Sequence, residues 1–333
     1  MNDLAQRYAR LRLAVVGDFC LDRYLEIDPA RTERSLETGQ PVHNVVRVRA
    51  QAGAAGTILN NLVALGAGES HVVGFAGADG EGFELRRALA ALPGVRLEHF
   101  VESPHVRTFT YCKPLVLHPD RPPEELDRLD SKNWRPTPAE VEDRLIRAVD
   151  DLGAHADAFI VMDQVSVAET GVVTRRLRDA LAAVSRRRPG LLILADSRRG
   201  LRDFPPLTFK MNRAELRALT GADHELEMAE VRQAAAELAQ RNGRAVIVTL
   251  AEQGLLGAAP GGAVTHVAAL PVRGPVDIVG AGDAVTANLT AALASGCPLP
   301  EALALANAAA SVVIHQLGTT GTASLEQIQQ LLP

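Results

Sequence analysis

The four residues GAGD at 280–283 separate the segment PVDIV from the alanine-rich run AVTANLTAALASG. Small and apolar residues from Ala284 to Leu293 predict a helix, and Gly296 followed by Pro298 ends it in the usual order. The backbone N–H groups of Gly280, Ala281, Gly282 and Asp283 then become the unpaired donors of a helix N-terminus. The partial positive charge there favours an anion, and glycine permits its close approach. Asp283 has two readings. It can simply start the helix, as aspartate does well. Beside a bound phosphate, which it would repel, its use is as the base that takes a proton from an attacking hydroxyl.

KMNRAELRALTG at 210–221 is the second candidate. Asn212 with Glu215 three residues on spells a capping box, which is sufficient in itself. The functional alternative has Asn212 facing nucleotide phosphates and Glu215 holding Mg²⁺ through water. In VTLAEQGLL at 248–256, Thr249 ends a buried strand and Gly254 allows a tight turn, a cradle for an adenine nucleotide. Other motifs fail on spelling. A P-loop needs a lysine after glycine, but Lys113, Lys132 and Lys210 follow Cys, Ser and Phe. A dinucleotide fingerprint belongs in a first βα unit, whereas Gly280, Gly282 and Val285 come near the C-terminus. There is no GxSxG elbow and no HExxH helix.

The elements that must position these residues alternate along the chain. Apolar runs at 11–18, 71–80, 158–164, 191–198 and 245–254 are separated by helical patterns such as TILNNLVALG, AEVEDRLIRAV and MAEVRQAAAELAQRNG. That pattern predicts an α/β fold with a mostly parallel sheet covered on both faces. Ligands of such sheets bind at the carboxyl ends of the strands, where Asp18, Asp163, Asp196 and Glu252 fall. Residues 22–50 and 97–136 break the alternation with short β-branched stretches among charges and prolines, and are expected to form a small β lid. Trp134, in its Pro-rich part, is expected to be a packing anchor, and the RRRP at 186–189 to end a helix with cations.

The chain of 333 residues is 47% hydrophobic, enough to fill the core of one large domain over 1–333. A net charge of -5 gives no general attraction for a polyphosphate backbone, so a small molecule is expected as ligand rather than nucleic acid. Cys20, Cys112 and Cys297 are far apart and suggest neither disulfides nor a zinc site. No membrane span or targeting signal is read, and the expected compartment is cytoplasmic.

In this order, DIVGAGDAV, KMNRAEL, VTLAEQGLL and AGAAGTILNNLVALG resemble the signature segments of the ribokinase-like, PfkB-type carbohydrate kinases, and the resemblance covers nearly the whole chain. VVGDFCLDRY and ANAAASVVIHQLGTT look most like the branch that phosphorylates a heptose 7-phosphate in lipopolysaccharide precursor synthesis. The resemblance implies a three-layer αβα sandwich with a β lid, and ATP- and Mg²⁺-dependent transfer to a sugar or sugar-phosphate hydroxyl. Carried over by position, Asp283 is the base, and Gly280, Ala281 and Gly282 are the anion hole. Asp22, Gly53 and Thr57 serve the sugar, Asn212 and Glu215 the phosphates and Mg²⁺, Thr249, Gly254 and Asn307 the nucleotide, and Asp277 a monovalent cation such as K⁺. Four positions depart from the family, three of them being Ala54 in place of a glycine, Thr57 in place of a sugar-binding asparagine, and Ala251 in place of a glycine of the nucleotide turn. Val279 also replaces the usual threonine before GAGD. Arg23, Arg31, Arg34, Arg107 and Lys113 lie in or beside the lid, where they either form a solvated charged face or offer charge for a phosphate already on the sugar. A nucleoside kinase of the same fold and a non-catalytic sugar-binding sensor are the alternatives, and exposed lid strands suggest a homodimer.

Overall fold

The computed structural model describes residues 2–332. A ten-stranded sheet runs in the order Val264–Val267, Leu255–Ala258, Val246–Thr249, Thr208–Asn212, Leu192–Ser197, Ala158–Asp163, Arg12–Gly17, Glu69–Gly77, Val95–Arg96, and Phe100–Ser103 also pairs with Glu69–Gly77. All neighbours are parallel except the two pairings made by Leu255–Ala258. The central strand AFIVMD is buried at every position, as a strand covered on both faces must be. The antiparallel hairpin 255–267 at one edge is not foreseen from the sequence, because LLGAAPGGAVTHV has neither strong alternation nor a two-residue turn.

Helices lie on both faces. On one, Ala55–Ala64, Ala281–Ala294 and Leu299–Val313 share a core with Leu13, Val15, Ile160 and Leu194. On the other, Ala139–Leu152, Arg175–Arg187 and Met228–Asn242 pack over Ala14, Val16, Phe159 and Val161. The two alanine-rich helices Ala281–Ala294 and Leu299–Val313 pack together, burying Ala287, Ala291, Ala306 and Ala309. The GAGD segment therefore opens a helix that is packed into the core.

A second, five-stranded sheet leaves the first at Gly17. Phe19–Ile27 pairs antiparallel with Val45–Ala54 and parallel with Phe109–Val116, which also carries Glu124–Glu125 and Leu129–Ser131. Asp18, between the sheets, is buried and accepts the N–H groups of Gln164 (2.8 Å), Val165 (3.2 Å) and Val172 (2.7 Å). It ties the loop after Ala158–Asp163 to the crossover. Asp163 is buried too, held by Ser197 Oγ (2.7 Å) and Arg199 (2.8 Å). Both acids stand at the strand ends where the sequence put them, yet they serve the scaffold. Trp134 is 73% exposed rather than a packing anchor, since its Pro-rich neighbours never fold back over it. No described helix is long and apolar enough to cross a membrane.

Candidate active site

Asp283 is the third residue of Ala281–Ala294, and the cap is Gly280, in left-handed backbone (φ 84°) with no side-chain capping bond. Asp79, Thr174, Asn212 and Ser324 each accept a backbone N–H at the start of their own helices. The Asp283 carboxylate, in the first turn of its helix, accepts none. Burial pushes it up to about 7, with the Lys210 ammonium opposing and Asp196 and Asp22 adding to the rise. Ala281 N–H turns back onto the Ile278 carbonyl (3.2 Å), while the N–H groups of Gly280, Gly282 and Asp283 have no partner among the described residues.

Lys210, which sequence reasoning passed over, completes this end of the cleft. Its Nζ donates to Asp196 Oδ2 (2.8 Å), which also accepts from Thr286 Oγ1 (3.1 Å). A Cβ placed on Gly282 would stand 3.2 Å from that ammonium, so the glycine brings helix terminus and cation together. Burial works against the charged lysine, but Asp196, Asp283 and Glu215 outweigh it and hold Lys210 above its ordinary value. One signal was available: a lysine inside the strand TFKMN is rarely buried without a paired carboxylate.

The second sheet supplies the opposite wall. Asp22 pairs in register with Tyr111, and Tyr24 with Lys113, so these four residues share one face. Gly53 lies beside Asp22, and a Cβ there would run into its carboxylate. Burial raises Asp22, while Lys113 and then Arg128 oppose the rise. Lys113 Nζ stands 5.2 Å from the Tyr24 ring centre, and the Arg128 guanidinium 5.0 Å from that of Tyr111. Arg128 also pairs with Asp130 at 3.0 Å. Thr57 is buried with its methyl toward Gly280, since a Cβ on that glycine would lie 3.6 Å from Thr57 Cγ2.

The other lid cations point elsewhere. Arg23 pairs with Glu84 (2.9 Å), Arg31 with Asp28 (3.2 Å), and Arg34 donates to the Gly39 carbonyl (2.7 Å). Arg107 lies between Asp79 (3.8 Å) and Glu81 (4.0 Å), at the start of the helix Gly80–Ala90. Of the five, only Lys113 is grouped with Asp22. Period-two alternation explains Arg23, whose side chain faces away from those of Asp22 and Tyr24.

A cavity of about 560 Å³ opens beside Gly282, lined by Asn212, Thr249, Gly254, Val285 and Asn307. Its size suits a nucleoside. Gly254 has φ 90°, and a Cβ there would collide with the Val267 carbonyl. Asn307 donates to the Ala268 carbonyl (2.9 Å) and anchors one wall. Asn212 and Glu215 do form the capping box, with Glu215 N–H on Asn212 Oδ1 (2.8 Å) and Asn212 N–H on Glu215 Oε2 (2.7 Å). Both also line a cavity of about 270 Å³ beside Arg198, and burial raises Glu215. The structural and functional readings of this pair are therefore compatible. Asp277 accepts the N–H groups of Val279 (3.0 Å) and Gly318 (3.3 Å), joining the loop before GAGD to the loop after Leu299–Val313.

Two departures from the family pattern keep glycine-like backbone. Ala54 has φ 54° and ψ -117°, and Ala251 has φ 51°. Both alanines therefore hold a strained, positive φ.

A carboxylate and a helix N-terminus thus lie between a cavity of about 560 Å³ and a polar β wall, on a parallel sheet covered on both faces in a ribokinase-like architecture. The model for "pfkB family carbohydrate kinase" matches residues 197–326. The "Bifunctional protein HldE" of Bradyrhizobium sp. (strain ORS 278) is 33% identical over 342 residues, covering 100% of this chain and 66% of that protein. The chain thus spans just under two thirds of that relative's length. Among solved structures, phosphofructokinase-2 from Escherichia coli in complex with fructose-6-phosphate superposes with TM-score 0.73 at 19% identity, over 96% of this chain and 97% of that one. Arabidopsis thaliana ribokinase complexed with ribose and ATP gives 0.68 at 20%, over 97% and 98%. The chain belongs to the PfkB family of carbohydrate kinases.

Proposed function

We propose that the protein transfers the γ-phosphoryl group of ATP to a hydroxyl of a phosphorylated sugar, with Asp283 as the general base. The observation that carries this is the Asp283 carboxylate, unpartnered and raised by burial, beside the open N–H groups of Gly282 and Asp283 and facing the Asp22 wall across one cleft. Asp283 takes the hydroxyl proton as the sugar oxygen attacks phosphorus and the bond to ADP breaks. The Gly280, Gly282 and Asp283 amides donate to the charge that builds on the phosphoryl oxygens, and Lys210, bound to Asp196, adds its positive charge from behind them. Asn212 and the second Glu215 oxygen would hold phosphate and hydrated Mg²⁺, which when bound neutralises the β- and γ-phosphates. Thr249, Gly254 and Asn307 shape the nucleoside site. Asp22 and Gly53 receive the reacting sugar, with Thr57 in support.

A phosphate already on the acceptor is favoured by Lys113 and Arg128, which flank Asp22 with Tyr24 and Tyr111 between them. One structural neighbour points the same way, since it was solved in complex with fructose-6-phosphate. The second sheet acts as the lid that excludes water, and its exposed Val45, Val46 and Val48 offer a surface for pairing with a second copy. Asp277 would serve K⁺ by ordering the carbonyls of its loop. ADP release should be measured across hexoses, heptoses, their phosphates and nucleosides. Turnover confined to adenosine or another nucleoside would replace this reading with a nucleoside kinase. Sugar binding with no ADP formed from any acceptor would replace it with a sensor.

A further inference from the structure

One cation at the carboxyl edge of the main sheet has no partner. Arg198 directly follows the strand Leu192–Ser197, whose neighbours end in Asp163 and Asn212. Its amide donates to the Asp163 carbonyl (2.9 Å), which fixes the backbone at that edge. The arginines after it are engaged: Arg199 on Asp163 (2.8 Å) and Arg202 on the Ala218 carbonyl (2.9 Å). The Arg198 guanidinium is exposed and, among the described residues, makes neither a hydrogen bond nor an ion pair. It lines the cavity of about 270 Å³ that Asn212 and Glu215 also line. On its other side is the second sheet. Burial pushes the Tyr111 hydroxyl up to about 12, and the Arg198 charge is close enough to oppose that rise. Tyr111 shares the Asp22 face, so Arg198 lies between the residues that would hold the nucleotide phosphates and those that would hold the acceptor.

We propose that Arg198 is a catalytic residue whose guanidinium binds two non-bridging oxygens of the phosphoryl group in transit from ATP to the acceptor. A planar fork of N–H donors fits two oxygens at once, which an ammonium does not. Lys210 cannot fill this place, because its ammonium is bound to Asp196 inside the fold. Arg198 takes no part in proton transfer. The hydroxyl proton goes to Asp283, the new bond forms between the acceptor oxygen and phosphorus, and the electron pair of the broken bond leaves with ADP. Charge on the equatorial oxygens is redistributed as that bond breaks, so the contact is made mainly in the transition state and acts on kcat more than on KM.

The inference rests on the kinase reading above, and two measurements keep their failures apart. In steady-state assays with the best acceptor, Arg198→Ala should lose about 30- to 300-fold in kcat with KM for ATP and acceptor changed less than about threefold. Arg198→Lys should lie between, and guanidinium ion should restore about tenfold to the alanine variant, which a merely structural arginine would not allow. Full kcat in Arg198→Ala, or a loss seen only in KM, would overturn the proposal. The second measurement needs no acceptor: vanadate added to MgADP should raise the melting temperature of the native protein further than MgADP alone. Arg198→Ala should lose that increment and keep the MgADP shift. An unchanged vanadate increment overturns the role of Arg198 even if no acceptor is found, whereas absence of turnover in the native protein counts against the kinase reading alone.

Discussion

Replacing Asp283 by Asn should slow transfer by orders of magnitude and strengthen the fold, and pH should separate the two effects. In the folded protein Asp283 is pushed from 3.8 to about 7, chiefly by burial. A carboxyl raised on folding contributes stability that is fully present below about 3.8, falls away as pH rises, and is gone above about 7. At full strength that loss is about 4 kcal/mol. Asp283 keeps some contact with solvent, so screening reduces the figure to about 1–2 kcal/mol. Asparagine has nearly the same shape and no charge to bury. Urea unfolding of Asp283→Asn should therefore show about 1–2 kcal/mol more stability than the native protein at pH 8 and almost none at pH 4. The same variant should lose about 10²- to 10⁴-fold in kcat, and native kcat should fall about tenfold for each pH unit below 7. Equal stability of the two proteins at pH 8 would refute the claim that this carboxylate is held under electrostatic strain for use as a base.

Lys210→Met leaves the buried Asp196 without its cation and should cost about 3–5 kcal/mol in urea unfolding. It also removes the charge that restrains Asp283, so the acid limb of kcat should move to higher pH. Ala54→Gly and Ala251→Gly each relieve a positive φ, and thermal unfolding should show each variant more stable by up to about 1 kcal/mol. Gly254→Ala meets both a positive φ and the Val267 carbonyl. It should cost about 2 kcal/mol or more and weaken ATP binding measured by calorimetry, whereas Gly261→Ala, with open space around it, should do neither.

The alternation of apolar runs and helical patterns was enough to read the parallel sheet, because strands buried on both faces leave unbroken hydrophobic spelling. GAGD and NRAE were legible for a related reason, since helix starts are written in local chemistry. Less was legible where partners come from distant segments. Asp18 and Asp163 look like site residues at strand ends, but Val172 and Arg199 turn them into struts for the loops. Arg107 looks like a phosphate ligand until the helix at Gly80–Ala90 brings Asp79 and Glu81 to it. Lys210 and Arg128 were overlooked because their meaning depends on Asp196, Tyr111 and Asp22, which the fold delivers from strands far apart in the chain.

The most direct test is phosphorus NMR of the reaction of MgATP with a panel of hexose and heptose phosphates, run with the native protein and with Asp283→Asn at pH 8. A new phosphate-ester signal formed with stoichiometric ADP from a sugar phosphate, and absent with the folded Asp283→Asn variant, is the expected result. An ester formed at equal rates by both proteins would contradict the role given to Asp283. ADP formed from none of the sugar phosphates would contradict the choice of acceptor.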